Sequence, residues 1–180
     1  MANPNYFELF DLPVRFHLDK AALKKQFYAK SKAHHPDFHT RAADEEQERQ
    51  LMATSQLNEA FRTLNKPRKR LQYILQLYGL LDAAGQSEEK LPPEFLMEMM
   101  ELNEAIEQLM ENPEQADEVK RQVEQQAQLR EERMSELLQR FDATKEENRP
   151  EILQEVRRVY LEQQYILRLA ENVAKFAPSE

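Results

Sequence analysis

At 180 residues the chain has room for one domain or two small ones, and the absence of cysteine excludes disulfides, cysteine-ligated zinc and cysteine-ligated iron–sulfur clusters. Two glycines, nine prolines and 32% charged residues describe a nearly all-helical chain with short loops. The net charge of −8 is uneven: residues 1–42 carry seven Lys/Arg against four Asp/Glu, while the acidic remainder argues against nucleic-acid binding.

In chain order, Tyr6 to Leu12 is a short aromatic-rich segment that ends at Pro13. Leu18 to His34 reads as one helix, with Asp19 as N-cap and Leu18 and Leu23 as a hydrophobic staple across it. Pro36 disfavours the α conformation at His35 and removes a backbone donor, so this helix stops at His35-Pro36-Asp37. At about 100° per residue, Leu23 and Phe27 fall on a core side, and Lys24, Lys25, Tyr28 and Lys32 fall on the other. That cationic strip leads into the tripeptide and suits an acidic protein surface. Ala43 to Leu64 is helical with an apolar stripe of Leu57, Phe61 and Leu64, and Asn65 to Arg70 follows as a basic stretch.

Gly79 suits a left-handed helix end, and Pro92-Pro93 suits a helix start. The expected organisation is therefore a domain over 1–78, a linker over 79–92 and a second domain over 93–180. The second domain reads as three long helices. The first runs from about Pro93 to Glu111. The second is opened by Asn112-Pro113-Glu114-Gln115 and carries Ala116, Val119, Val123, Arg130, Met134, Leu137 and Phe141 at core spacing. The third starts near Pro150, with Ile152, Val156, Val159, Leu167, Ala170 and Val173. Short connections predict an antiparallel three-helix bundle; a long coiled coil is disfavoured by Pro113 and Pro150. On the 93–111 helix, Phe95, Met99, Leu102, Ile106 and Leu109 form one core stripe. Leu96, Met97 and Met100, with Glu101 and Glu104, form a second face. Periodicity leaves that face two roles, packing within the protein or meeting a partner.

Two resemblances sharpen this reading. The order of a short first helix, a basic second helix, His35-Pro36-Asp37, a long third helix and a short basic fourth resembles the J-domain of DnaJ-type co-chaperones, over roughly residues 4–78. The segment Phe95 to Glu104, the opening Tyr6 to Phe10 and the Arg70 to Leu75 helix resemble HscB-type co-chaperones of iron–sulfur cluster assembly, as does the overall length. The resemblance implies an all-α J-domain and C-terminal bundle that is not itself an enzyme and needs no cofactor. It also implies a DnaK-type chaperone, HscA, engaged by the tripeptide and by Lys24, Lys25, Tyr28 and Lys32. The second implied partner is the scaffold protein IscU, held by Leu96, Met97, Met100, Glu101 and Glu104. A further family contact on the last helix aligns with Leu161, near Tyr160 and Tyr165. Three positions depart from the family pattern: His34, Lys30, whose stem would lie along the core edge, and Gln108.

Other classes fit less well. His34, His35, Asp37 and His39 are close together, yet a metal site lacks cysteines or a second ligand cluster. No phosphate-binding glycine loop or nucleophile motif marks an enzyme. The competing reading is a general J-protein adaptor for a different client. No apolar run approaches the roughly twenty residues that cross a bilayer, and no signal-peptide pattern opens the chain, so a cytoplasmic protein without a membrane role is expected.

Overall fold

The computed structural model describes residues 4–33 and 44–176; His35-Pro36-Asp37, the helix stop expected there, and His34 and His39 lie outside the described residues. Among the described residues every regular element is helical. The chain divides into two compact units, Met1–Gln86 and Ser87–Glu180.

The first unit contains α1 (Tyr6–Leu9), α2 (Lys20–Ala33), α3 (Asp44–Asn65) and α4 (Pro67–Leu77). A capping box closes the start of α1: Asn5 accepts from the Phe7 and Glu8 N–H groups, and Glu8 accepts from the Asn5 N–H. Asp19 caps α2 as expected, accepting from the Ala21 N–H at 2.8 Å. The helix begins at Lys20, so Leu18 lies outside it, before the cap. Phe27 of α2 stacks on Phe61 of α3 with centroids 4.4 Å apart, and this joins the two arms of the hairpin. Phe7, Phe10, Leu23, Leu57, Leu64 and Ile74 fill the core around them.

Arg70 corrects the reading of Asn65 to Arg70 as a basic stretch, within which α4 begins at Pro67. It is 5% exposed; its Nε donates to the Phe16 carbonyl at 2.9 Å and its Nη1 to the Leu64 carbonyl. The second bond satisfies one of the carbonyls that the end of α3 leaves without an intrahelical partner. Arg68 and Lys69 remain exposed.

The end of α4 is a Schellman turn. Gly79 has φ +69°; its N–H donates to the Gln76 carbonyl, and the Leu80 N–H reaches back to the Leu75 carbonyl. The Gln76 amide then donates to the Asp82 carbonyl, the Asp82 N–H donates to the Gln86 carbonyl, and the Gln86 N–H donates to the Asp82 carboxylate. Residues 79–86 lie in the first unit and 87–92 in the second.

The second unit contains α5 (Pro93–Glu98), α6 (Met100–Gln108), α7 (Ala116–Ala143) and α8 (Arg149–Ala174). The single helix expected over 93–111 is two. The break falls at Met99 (φ −84°, ψ −8°), whose carbonyl accepts from the Asn103 side-chain amide at 2.7 Å as well as from the Asn103 N–H. A short polar side chain returning to the carbonyl four residues back bends a helix in this way. Asn112 does not cap α7 through its side chain; a 3₁₀ turn, Pro113–Gln115, leads into the helix instead.

α7 and α8 run antiparallel, as the pairs Arg133–Glu155 and Arg130–Glu162 at opposite register require. Phe95, Met99, Leu102, Ile106 and Leu109 pack in one core with Val119 and Val123 of α7 and Ile166, Leu169 and Val173 of α8. The α8 stripe differs from the expected one in its second half: Ile166 and Leu169 are buried, while Leu167 and Ala170 are exposed. Measured from Ile152, Val156 and Val159, the buried side turns by roughly 70° along the helix. The cause is that α8 passes from packing on α7 into the core that α5 and α6 share.

Replacing Arg70 with Met should leave the Phe16 and Leu64 carbonyls without these donors and cost the first unit about 2 kcal/mol or more. Urea unfolding of the whole chain checks this, with the loss confined to the transition of the first unit.

Candidate partner-binding faces

Two exposed faces of opposite physical character emerge. On α2, Lys24, Lys25, Tyr28 and Lys32 are all exposed, and the Lys24 ammonium lies 5.8 Å from the centre of the Tyr28 ring. Such a contact holds a cation over an aromatic face without removing it from solvent. Lys30 is not part of this strip. Its ammonium pairs with Asp11 at 2.8 Å, with the side chain about two-thirds covered, in line with a stem lying along the core edge. Asp11 is the one described non-glycine residue with positive φ (53°), a conformation that Asp tolerates better than most side chains.

The second face lies on α5 and α6. Leu96, Met97 and Met100 are 43%, 74% and 58% exposed, and Glu101 and Glu104 are exposed beside them. The core side chains of the same two helices are all buried, with Met99 fully so. Three large apolar side chains rimmed by carboxylates therefore stand in solvent within nine residues. Leu161 of α8 is half-buried and lines an open groove of about 470 Å³ together with Leu96, Pro92, Pro93 and Arg158. Of the three α8 positions singled out in the sequence, Leu161 is the one that shares a groove with Leu96. Tyr160 is buried, and the Tyr165 hydroxyl is bonded to the Asn103 amide at 2.8 Å.

Behind this face sits Arg130, 12% exposed on α7. It pairs with Glu98 of α5 at 2.5 Å and with Glu162 of α8 at 3.3 Å, and its guanidinium lies 5.2 Å from the centre of the Phe95 ring. Burial raises the Glu162 carboxyl above its ordinary range, and the charge of Arg130 works in the opposite direction. An arginine at a core position of α7 was the signal available in the sequence; its partners were not. Arg157 pairs with Glu89 and so ties the start of the unit to α8, and burial holds its guanidinium below the usual arginine value.

Among the described residues no group of His, Asp and Glu is arranged to hold a metal ion, and no helix is long and apolar enough to cross a membrane. The histidine-rich segment around the tripeptide lies outside the described residues.

The exposures separate two kinds of variant. Truncating Leu96, Met97 and Met100 to Ala together should leave the thermal midpoint nearly unchanged. Leu102→Ala and Ile106→Ala should each cost about 2–5 kcal/mol through lost burial and residual cavities. Calorimetry of the whole chain distinguishes the two sets.

Comparison with known proteins accounts for both units. Residues 5–73 match the family described as the DnaJ domain, and residues 91–174 match the one described as the HSCB C-terminal oligomerisation domain. A co-chaperone protein HscB homolog of Azoarcus sp. (strain BH72) is 41% identical over 104 residues, 58% of each chain. One from Vibrio cholerae serotype O1 is 40% identical over 103 residues, 57% of this chain and 60% of the relative. The chain thus aligns with less than two-thirds of the length of these relatives. The solved structure of chaperone HscB from Vibrio cholerae superposes over 96% of both chains with a TM-score of 0.55 and 27% identity. The human co-chaperone protein HscB shares the fold, with a TM-score of 0.61 at 20% identity over 96% of this chain and 81% of that one. A match to the DnaJ domain is thus followed by a match to the HscB C-terminal domain, in the arrangement of helices described above, and in both units this chain is similar to HscB co-chaperones.

Proposed function

We propose that this chain is a co-chaperone of iron–sulfur cluster assembly, in which the J-domain stimulates the ATPase of the DnaK-type chaperone HscA and the C-terminal bundle delivers the scaffold protein IscU to it. The observation that carries the reading is the solvent-exposed Leu96, Met97 and Met100, rimmed by Glu101 and Glu104, on helices whose other side fills the core. Monomeric surfaces seldom leave such an apolar cluster without a partner, and methionine adapts to the contour of what it meets.

The two faces then act by different forces. Lys24, Lys25 and Lys32 steer the chain to an acidic patch on the chaperone, with Tyr28 beside them, and charge of this kind acts mainly on the rate of encounter. His35-Pro36-Asp37 engages the junction between the nucleotide and peptide domains of the chaperone. Leu96, Met97, Met100 and Leu161 supply desolvated anchors for the scaffold, and Glu101 and Glu104 set its orientation. Holding both partners on one chain raises the effective concentration of scaffold at the chaperone, where ATP hydrolysis traps it. The hydrolytic chemistry belongs to the chaperone, so the chain acts as an adaptor, in the cytoplasm and without a cofactor of its own. A general adaptor for another client would use the same J-domain, and the α5–α6 face is what separates the two readings.

Purified chain should bind IscU in calorimetry, and the Leu96, Met97 and Met100 triple alanine variant should lose several kcal/mol of that affinity, the usual scale for buried interface anchors. A stable triple variant that binds IscU as well as the unmodified chain leaves only the general adaptor.

His35→Gln or Asp37→Asn should abolish stimulation of the chaperone ATPase while IscU binding is retained; normal stimulation by either variant removes the J-domain mechanism. Charge reversal at Lys24, Lys25 and Lys32 should slow association with the chaperone, and added salt should mimic it for the unmodified chain. An association rate insensitive to salt would remove the steering role.

A further inference from the structure

The apolar face stands on a helix that cannot hold itself. α5 has six residues, well below the length at which an isolated helix persists in water, and a break at Met99 cuts it off from α6. Of its residues only Phe95 is buried, so most of its order must come from contacts made by few side chains.

Those contacts converge on Arg130. From α7 the guanidinium reaches Glu98 at one end of the Leu96-Met97 pair and lies over the ring of Phe95 at the other. The same group is anchored by Glu162 on α8 and by Gln126 one turn earlier on α7, so its position is fixed independently of α5. A second chain of contacts holds the far side of the break. Phe95 meets Tyr165 edge-on with centroids 5.6 Å apart, the Tyr165 hydroxyl is bonded to the Asn103 amide, and that amide donates to the Met99 carbonyl. Leu96 and Met97 are thus bracketed by two residues that Arg130 holds, and Met100 follows a carbonyl that Asn103 holds.

We propose that Arg130 is a positioning residue for the partner face: by clamping Phe95 and Glu98 from α7, it keeps α5 helical and presents Leu96 and Met97 already ordered beside Met100. This rests on the reading of that face as the scaffold contact. A pre-ordered face meets its partner without the entropic cost of folding a loose turn on binding. Arg130 itself is nearly buried behind the face and acts through α5.

The test uses the full chain with Arg130→Met, which keeps the aliphatic stem and removes the charge. Glu98→Gln is the second variant; it weakens one arm of the clamp and leaves the Arg130–Glu162 pair intact. Hydrogen exchange of the free chain is read at the Leu96 and Met99 amides, which donate to the Pro92 and Phe95 carbonyls, and at Leu137 and Val156 in the α7–α8 core. IscU affinity is measured in parallel. Arg130→Met should speed exchange at Leu96 and Met99 by roughly tenfold or more with Leu137 and Val156 unchanged, and should weaken IscU binding about tenfold, or about 1.4 kcal/mol. Glu98→Gln should shift both readouts the same way by a smaller factor. Unchanged exchange at Leu96 and Met99 in both variants overturns the proposal. So does faster exchange throughout the bundle in both, which would make Arg130 an ordinary structural residue, and so does local fraying with full IscU affinity. If the unmodified chain binds no IscU, the proposed function fails on its own, and the exchange pattern alone decides the clamp.

Discussion

Burial of Phe95, Met99, Leu102, Ile106 and Leu109 against α7 and α8 is the constraint on which the second unit depends. Each such side chain gains about 1.5–3 kcal/mol on leaving water, far more than any surface contact made by the same helices. With those five positions turned inward, the helical period puts Leu96, Met97, Met100, Glu101 and Glu104 on the other side of the same segment, where they are exposed. The side on which these residues stand is therefore a consequence of the core. What the core does not settle is the order of α5, which is too short to be stable alone, and this is where the contacts of Arg130 enter.

The first unit faces a different problem, because its candidate face is one of charge on a single helix. α2 keeps Leu23 fully buried and leaves Lys24, Lys25 and Lys32 in water, where each cation keeps its hydration. Rigidity comes from stacked rings and from the buried Arg70, which ties the Phe16 carbonyl to the end of α3. An exposed cationic strip contributes little to holding affinity and much to the rate and orientation of encounter. An exposed apolar cluster does the reverse. One chain thus carries a face suited to rapid, reversible docking and another suited to holding.

Much of this was legible in the sequence, and what was not has common physical causes. The Asp19 cap, the Gly79 helix end, the Pro93 and Pro150 helix starts and the core stripe of the α5–α6 segment follow from local rules of backbone and period. The break at Met99 was not legible, because it depends on the Asn103 amide finding both a carbonyl four residues back and Tyr165 from α8. Arg70 looked like surface charge beside Arg68 and Lys69, since its burial is set by a carbonyl 54 residues away. The turn of the α8 stripe toward Ile166 and Leu169 has the same origin: period fixes which residues share a face, but the neighbours along the helix decide which face is covered. The tripeptide at 35–37 carries the functional reading from sequence alone.

On the proposed function the cationic face meets the chaperone while the apolar face holds its client, and the most direct measurement is the steady-state ATPase rate of HscA with chain and IscU present singly and together. The two together should stimulate hydrolysis by more than the sum of their separate effects. Alanine at Leu96, Met97 and Met100 should return the combined rate to that sum while leaving the effect of the chain alone intact. A combined rate that is merely additive for the unmodified chain, or synergy that survives in the triple variant, would overturn the proposed function.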